Sequence, residues 1–187
     1  MKKDQVDKLR NQLSVESKNG IDFTIAATII WAAIAFIWTF KSDSYNKAVL
    51  VFIAGGPLLP FAFMLSKVLK ITWKIEDNPL QPLGLWLNFA QLFYFPFLIF
   101  ILIRQPDYFV MTYAIITGAH LFPYSWYYRT KLYAICAGAI SLGSLLLALN
   151  LKPADQFYIG IWASFCLFIL SLGLIADYKK KVTVYEK

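Results

Sequence analysis

Residues 21–40 read IDFTIAATIIWAAIAFIWTF, and this run determines the class of fold. Asp22 lies in its opening turn, and the run contains no Lys, Arg or Glu. An α-helix that crosses about 30 Å of hydrocarbon needs about 20 mainly apolar residues, which is the length of this run. The run is too long for the apolar part of a cleavable signal peptide. We therefore expect an uncleaved signal anchor that forms the first transmembrane helix.

Five further stretches have the same character. The predicted spans, including the first, are residues 21–40, 48–65, 83–103, 108–128, 132–149 and 157–176. The composition agrees with them, since 59% of the 187 residues are hydrophobic and 16% are charged. A soluble domain carries about 25% charged residues, so this chain has too little charge to cover a soluble globule. The sequence excludes a soluble enzyme, a disordered chain and a nucleic-acid-binding module, and it predicts an all-α integral membrane bundle of six transmembrane helices.

The basic residues that give the chain its net charge of +7 are distributed as the predicted topology requires. Of the 18 Lys and Arg residues, fourteen fall on the side of both termini, and the other side has Lys41, Lys47, Arg104 and Lys152. Positive residues accumulate on the cytoplasmic side of membrane proteins. We therefore expect a multi-pass protein of the cell membrane with its N- and C-termini in the cytoplasm, and anionic membrane lipids as partners.

The two ends of the chain are polar. Residues 1–19 are expected to form a basic cytoplasmic segment, in which Val6, Leu9 and Leu13 recur at helical spacing. This spacing is compatible with an amphipathic helix on the membrane surface and equally with a frayed basic tail. In this interpretation residues 20–178 are the transmembrane domain, and residues 179–187 are a basic cytoplasmic tail.

Spans two and four share the pattern G-x-x-L-x-P. It occurs at Gly55–Pro60 and again at Gly118–Pro123. Two spans separate the copies, so both run in the same direction, as in a parallel repeat of helical hairpins. Each Pro also leaves the carbonyl four residues earlier without its helical partner. The pattern is compatible with a hairpin repeat and with simple structural kinks.

Spans five and six carry small residues at i, i+4 spacing. The pairs are Ala134/Gly138, Ala139/Gly143 and Gly160/Ser164. Such pairs let helix backbones approach closely in a membrane. They predict packing surfaces, either between helices of one chain or in a homo-oligomer.

Aromatic residues cluster at the predicted cytoplasmic ends of the spans. They are Trp73, Trp86, Trp126, Tyr127, Tyr128 and Tyr133. Trp and Tyr are enriched at both membrane interfaces, so an interfacial belt is expected. An aromatic cage is the alternative.

The interiors of the predicted spans lack ionised residues, which argues against proton relays and most ion-coupled pumps. The candidate ligand-binding residues are therefore Asn88, Gln91, Tyr94, His120 and Tyr124. At 1.5 Å per residue, Gln91 and His120 both lie about 12–14 Å from the cytoplasmic ends of spans three and four. We predict a cavity between these spans, open to the cytoplasm, that binds or transports a small polar, amphipathic or lipid-like ligand. The alternative is that the same groups form hydrogen bonds between the two helices.

No catalytic or metal-binding motif is recognised in the sequence. A zinc site needs three or four ligands, whereas the chain has 1 His and 2 Cys. Cys136 and Cys166 fall inside predicted spans and are expected to be buried apolar residues. We therefore expect no cofactor, no metal and no nucleic-acid partner. The second hypothesis for the function, besides ligand binding, is that the protein is a non-catalytic accessory or regulatory subunit. Such a subunit would act through its helices or the loop Lys70–Pro82. An enzyme is the least supported class of function.

Two blocks of sequence extend over spans three and four. The first contains Asn78-Pro79-Leu80, Leu83-Gly84 and Gln91–Pro96; the second contains Tyr113–Ile116, Gly118–Leu121 and Pro123–Trp126. Together with Trp31, these blocks resemble an uncharacterised family of small bacterial membrane proteins. The resemblance implies a bacterial polytopic membrane protein, and it carries over no activity and no catalytic residue. His120 lies within the second block.

Overall fold

The computed structural model describes residues 3–185, and this part of the chain forms an all-helical fold without strands. The outermost residues of both predicted terminal segments lie outside the described residues. The described part contains nine α-helices: α1 (Lys3–Glu16), α2 (Ile21–Trp38), α3 (Ser44–Gly55), α4 (Leu58–Val68), α5 (Gln81–Leu92), α6 (Phe95–Arg104), α7 (Phe109–Tyr127), α8 (Leu132–Asn150) and α9 (Phe157–Tyr185). The last helix continues through most of the segment that the sequence assigns to a tail.

The helices pass back and forth through one bundle, in which α2 packs mainly on α9 and α7 on α8. One end, called the α1 end here, consists of α1, residues 69–80, the turn at 128–131 and the end of α9. These parts contact one another; for example, Lys181 Nζ donates to the carbonyl of Tyr128 at 2.7 Å. At the opposite end, Trp38 Nε1 donates to the carbonyl of Pro153 at 2.9 Å. These contacts place the turn after α7 beside the end of α9, and the end of α2 beside the connection between α8 and α9.

Five helical segments have the length and apolar composition of a membrane span. They are Lys18–Trp38, Ser44–Val68, Gln81–Arg104, Leu132–Asn150 and Pro153–Thr183. The predicted count of six is not confirmed, because α7, the predicted span 108–128, is not among them. α7 has 19 residues, but His120, Pro123 and several hydroxyl-bearing residues lower its hydropathy. Much of α7 is buried against other helices, so its side chains do not need the apolar character that lipid requires.

Two of the apolar segments are interrupted near their middle. The second is divided into α3 and α4 at Gly56-Pro57, and the third into α5 and α6 at Phe93-Tyr94, just before Pro96. Because Pro lacks an N–H and its ring clashes with the preceding turn, it breaks a helix as readily as it kinks one. The pattern at Gly118–Pro123, in contrast, lies inside the continuous helix α7. The two copies of G-x-x-L-x-P therefore differ in backbone conformation.

The core of the bundle lies between α2, α7, α8 and α9. Its fully buried side chains include Trp38, Phe109 and Ile140. Cys136 and Cys166 are free and buried, as predicted, and Cys136 Sγ donates to the carbonyl of Cys166 at 3.6 Å. Because lipid tails are as apolar as Leu, close packing rather than transfer from water stabilises such contacts in a membrane.

Two of the small residues of α8 and α9 allow close contacts between helices of this chain. A Cβ at Gly160 would lie 2.8 Å from the Cα of Ala35 on α2. Gly143 leaves room for the indole of Trp162, whose Nε1 donates to an α8 carbonyl at 2.9 Å. A Cβ at Gly138 would meet nothing within 4 Å. The first two positions therefore join helices of one chain, and Gly138 is open.

The N-terminal segment is helical and lies across the α1 end of the bundle. Leu13 is buried, Arg10 Nε donates to the carbonyl of Trp126 at 2.6 Å, and Lys18 Nζ donates to the carbonyl of Leu69 at 2.7 Å. Residues 3–16 are thus helical, and the position of this helix on the membrane surface stays a prediction. α1 is consequently part of the folded bundle.

Candidate functional site

A cavity with a volume of about 410 Å³ lies beneath α1, and it is called the α1 cavity here. Its walls come from α2, α4, α5 and α7. Its roof consists of Leu13, Ser17 and residues 71–75 at the α1 end. Its deep end reaches Trp31 on α2 and Tyr113 on α7. Trp31 is ten residues from the start of α2, or about 15 Å along the helix, so the cavity reaches about the middle of the bundle.

Four of the five candidate residues from the sequence line this cavity. Asn88 and Gln91 are on α5, and His120 and Tyr124 are on α7. The fifth, Tyr94, lies in the break between α5 and α6, is 55% exposed and is not part of the lining. The structure thus brings the four together at one wall, and their role in binding a ligand stays a prediction.

A carbonyl on α5 accepts two hydrogen bonds at the wall between α5 and α7, one from each helix. The oxygen of Gly84 accepts from Asn88 Nδ2 at 3.0 Å and from the Tyr124 hydroxyl at 3.3 Å. The ring of His120 packs edge-on against Tyr124, with centroids 5.4 Å apart. A Cβ at Gly84 would lie 2.8 Å from the hydroxyl oxygen of Tyr127, so glycine permits this close approach. Tyr124 therefore serves as an interhelical contact as well as lining, whereas the hydrogen bond of Asn88 stays within α5.

Four tyrosines form a buried cluster beside the roof: Tyr124, Tyr127, Tyr128 and Tyr133. The ring of Tyr128 stacks on Tyr124 at 5.9 Å and on Tyr133 at 5.7 Å between centroids. Tyr127, Tyr128 and Tyr133 are buried within the bundle, which does not fit the exposed position that an interfacial belt requires. Tyr124, Tyr127 and Tyr128, at the end of α7 and directly after it, have the spacing i, i+3 and i+4, which is the signal in the sequence for a shared helix face.

Asp22 and Trp73 are cavity residues outside the five ligand-binding candidates drawn from the sequence. Asp22, in the first turn of α2, lines the cavity and is 1% exposed. Trp73 Nε1 donates to Asp22 Oδ2 at 2.7 Å. Its indole stacks on Phe23 at 5.3 Å and meets Phe63 of α4 edge-on at 5.0 Å. Trp73 thereby connects the roof to α2 and α4. Asp22 could have been found from the sequence, because it is the single acidic residue within residues 21–40.

The α1 cavity has a side opening between α4 and α5. α4 packs on α2, and α5 packs on α7, whereas the backbones of α4 and α5 do not pack closely on each other within the described residues. Leu59 and Leu85, one on each side of this gap, line the cavity and are half exposed. The opening lies at the level of the apolar segments, so its neighbour in a bilayer is lipid.

The lining combines a carboxylate, amides, an imidazole and hydroxyls with aromatic and aliphatic side chains. Such a lining is suited to a molecule with one polar and one apolar part. Within residues 3–185, no group of three or more His, Cys, Asp or Glu side chains is arranged to hold a metal ion.

Comparison with known proteins agrees with the resemblance seen in the two sequence blocks. A family of unknown function matches residues 6–177, a range that includes every residue of the cavity lining. No curated protein and no solved structure matches the chain. Because the match extends over most of the sequence, the chain belongs to the family of unknown function DUF7010.

Proposed function

We propose that this protein binds a small amphipathic ligand in the α1 cavity, within a six-span bundle of the bacterial cell membrane. The observation that carries the proposal is the cavity of about 410 Å³ with a mixed polar and apolar lining. Small-molecule sites have volumes of roughly 300–1,000 Å³ and are lined mainly by apolar groups with a few polar ones. The α1 cavity has both properties.

The two helix breaks support the same proposal. In a membrane, irregular backbone is tolerated where it is buried in protein or lines a cavity. Gly55 at the end of α3 and Gln91 near the end of α5 both line the α1 cavity. Interrupted helices of this kind surround the substrate sites of several transporter folds. The breaks therefore favour binding or transport over an accessory role, which needs no cavity.

The proposed sixth span is α7. Its 19 residues reach about 28 Å at 1.5 Å per residue, and it runs beside α8 from the opposite end of the bundle to the α1 end. Buried residues such as Thr112 and Tyr124 account for its lower hydropathy. With α7 as a span, both termini lie at the α1 end, which also carries most Lys and Arg residues and is therefore proposed as the cytoplasmic side.

The side opening between α4 and α5 gives the proposed ligand a route from the bilayer. A ligand that enters there must dissolve in lipid, which favours an amphiphile over a fully polar solute. Membrane lipids or lipid-like molecules are therefore the proposed source of the ligand.

Binding of simple amphiphiles to the purified protein in lipid nanodiscs tests this function. We expect saturable binding of at least one of decyltrimethylammonium, decanoate and decanol, measured by thermal stabilisation and by the fluorescence of Trp31 and Trp73. One hydrogen bond contributes about 0.5–1.5 kcal/mol, so Gln91→Ala and His120→Ala should each weaken binding about two- to tenfold.

Leu92→Ala and Phe122→Ala are the matched controls. Both residues are exposed, lie next to a lining residue and are not part of the lining. We expect their affinities to equal that of the unmodified protein. Equal losses in the lining variants and the controls would contradict the proposed site, and an accessory role predicts no saturable binding.

A further inference from the structure

We infer that the ligand of the α1 cavity is an organic cation, an amine or quaternary ammonium group on an apolar tail, bound by Asp22 and the aromatic residues around it. The inference rests on the proposed function, since it names the chemistry of the ligand for the same cavity. Three features support it: a buried carboxylate without a cationic partner, tyrosines whose hydroxyl groups are already bonded, and an apolar remainder that leads to the side opening.

Asp22 presents a carboxylate inside the cavity. The residue is 1% exposed, and the hydrogen-bond donors to its carboxylate are neutral: Trp73 Nε1 at 2.7 Å and the backbone N–H groups of Asp22 and Phe23. The ion pairs found within residues 3–185 all join other side chains. A carboxylate removed from water is costly unless a cation pairs with it. A cationic ligand would supply that partner.

Lys74, the Lys or Arg residue in the described part of the cavity lining, does not form an ion pair with Asp22. Lys74 Nζ binds Glu76 Oε1 at 3.0 Å, and both side chains are exposed to solvent. Its charge is therefore compensated outside the cavity. An anionic ligand would approach the carboxylate of Asp22 without a compensating cation, which disfavours anions.

Aromatic rings provide much of the surface around this carboxylate. Trp73 stacks on Phe23 directly beside Asp22. The hydroxyl groups of Tyr133 and Tyr127 donate to backbone carbonyls at 2.7 and 3.2 Å. With these hydroxyls occupied, the tyrosines offer a ligand their rings. Aromatic faces attract ammonium groups, and quaternary ammonium ligands are commonly bound in this way.

The rest of the cavity suits an apolar tail. Ile30, Leu58, Leu121 and Leu167 line it away from the α1 end. The gap between α4 and α5 continues this apolar wall to the outside of the bundle. A single-chain cation therefore fits with its charged group beside Asp22 and its tail toward the deep end or the side opening.

The test uses three probes with the same tail and different head groups: decyltrimethylammonium, decanoate and decanol, each below its micellar concentration. They are titrated against the full chain in nanodiscs of zwitterionic lipid, and empty nanodiscs measure partition into the lipid. We expect the cation to bind about tenfold or more tightly than decanoate. Asp22→Asn, which keeps an oxygen acceptor for Trp73, should weaken cation binding about tenfold or more and leave decanol within about twofold.

Two further variants separate the site from general effects. Asp43→Asn removes an equal charge at the N-cap of α3, at the opposite end of the bundle, and should not change cation affinity. Trp73→Leu keeps the carboxylate and removes the ring, and it should weaken cation binding about three- to tenfold. It provides a second measurement should Asp22→Asn fail to fold.

The outcomes distinguish the inference from the function on which it rests. Saturable binding of decanoate or decanol as tight as that of the cation would overturn the inference and leave the proposed function standing. Cation affinity that depends on neither Asp22 nor Trp73 would also overturn it. Absence of saturable binding for all three probes would overturn both.

Discussion

At the scale of single residues, Gly160 sets the distance between α2 and α9, which pack extensively on each other. A Cβ at this position would lie 2.8 Å from the Cα of Ala35, a backbone atom that cannot rotate away. Gly138 on α8 belongs to the same class of small residue, but a Cβ there would meet nothing within 4 Å. Two glycines that look alike in the sequence therefore have different roles.

Gly160→Ala should destabilise the protein, and Gly138→Ala should not. Overpacking of a tight contact costs about 1–3 kcal/mol. Replacing an unconstrained helical Gly by Ala changes stability by about 1 kcal/mol in the favourable direction. Thermal unfolding in detergent micelles measures the difference, and a Gly160→Ala protein as stable as Gly138→Ala would contradict the close packing of α2 on α9.

At the scale of elements, α1 is held by three separate parts of the chain. Asn78 Nδ2 donates to the carbonyl of Leu9 at 2.8 Å. Arg129 Nη1 donates to Asn11 Oδ1 at 3.0 Å. Lys181 Nζ donates to Ser14 Oγ at 2.8 Å and pairs with Asp177 at 2.6 Å. The position of α1 over the cavity thus depends on the loop before α5, the turn after α7 and the end of α9.

Lys181→Met should release α1 from the bundle. The change leaves Ser14 Oγ and the carbonyl of Tyr128 without their cationic donor, and loss of hydrogen bonds to a charged group costs about 1.5–3 kcal/mol. Local opening should then rise about tenfold, since every 1.4 kcal/mol is a factor of ten. Limited trypsin digestion, followed through cleavage after Lys8 and Arg10, measures this opening.

Lys180→Met is the control for this prediction. Lys180 is exposed and lies next to Lys181 on α9, so its removal changes the same net charge without affecting α1. Equal cleavage rates in the two variants would show that Lys181 does not hold α1 in place.

The elements also show what the sequence could predict. The span 21–40 corresponds to α2, Ile21–Trp38, and the span 132–149 to α8, Leu132–Asn150, because both are continuous apolar runs without Pro. The spans 48–65 and 83–103 are each two helices. Whether a Pro kinks or breaks a helix depends on which neighbours satisfy the freed backbone groups, and that is a tertiary property.

The candidate site was predictable to a similar extent. Counting residues from the span ends places Gln91 and His120 at one depth, and both line the α1 cavity. Asp22 and Trp73 lie 51 positions apart in sequence and meet only because residues 71–75 fold back over α2. No local pattern encodes that contact, so the charged end of the cavity becomes visible only in the folded chain.

At the scale of the whole molecule, six traversals of the bundle place α1, residues 69–80, the turn at 128–131 and the end of α9 on one side. The proposal that α7 crosses the membrane makes a sharp prediction about sidedness. We start from a variant in which both native cysteines are replaced, Cys136→Ala and Cys166→Ala. If Ala154→Cys is then introduced, the new cysteine should react with a membrane-impermeant maleimide in intact cells. A cysteine at Asp77→Cys should react only after permeabilisation.

The two positions distinguish six spans from five. If α7 does not cross the membrane, the connection between α8 and α9 moves to the side of residues 69–80, and both cysteines share one accessibility. Equal labelling of Ala154→Cys and Asp77→Cys in intact cells would therefore contradict the six-span topology.

The contact between Lys181 and α1 has a consequence for biosynthesis. The ribosome makes α1 long before α9. Ser14 on α1 and its partner Lys181 on α9 are 167 positions apart in the sequence, so α1 must wait for this contact until almost the whole chain has been made. Until then α1 has its contacts with Asn78 and Arg129 and lacks the one from α9. The finished binding site is therefore a late product of synthesis, and a chain interrupted before α9 would have the cavity walls from α2, α4, α5 and α7 with one of the three contacts of α1 missing.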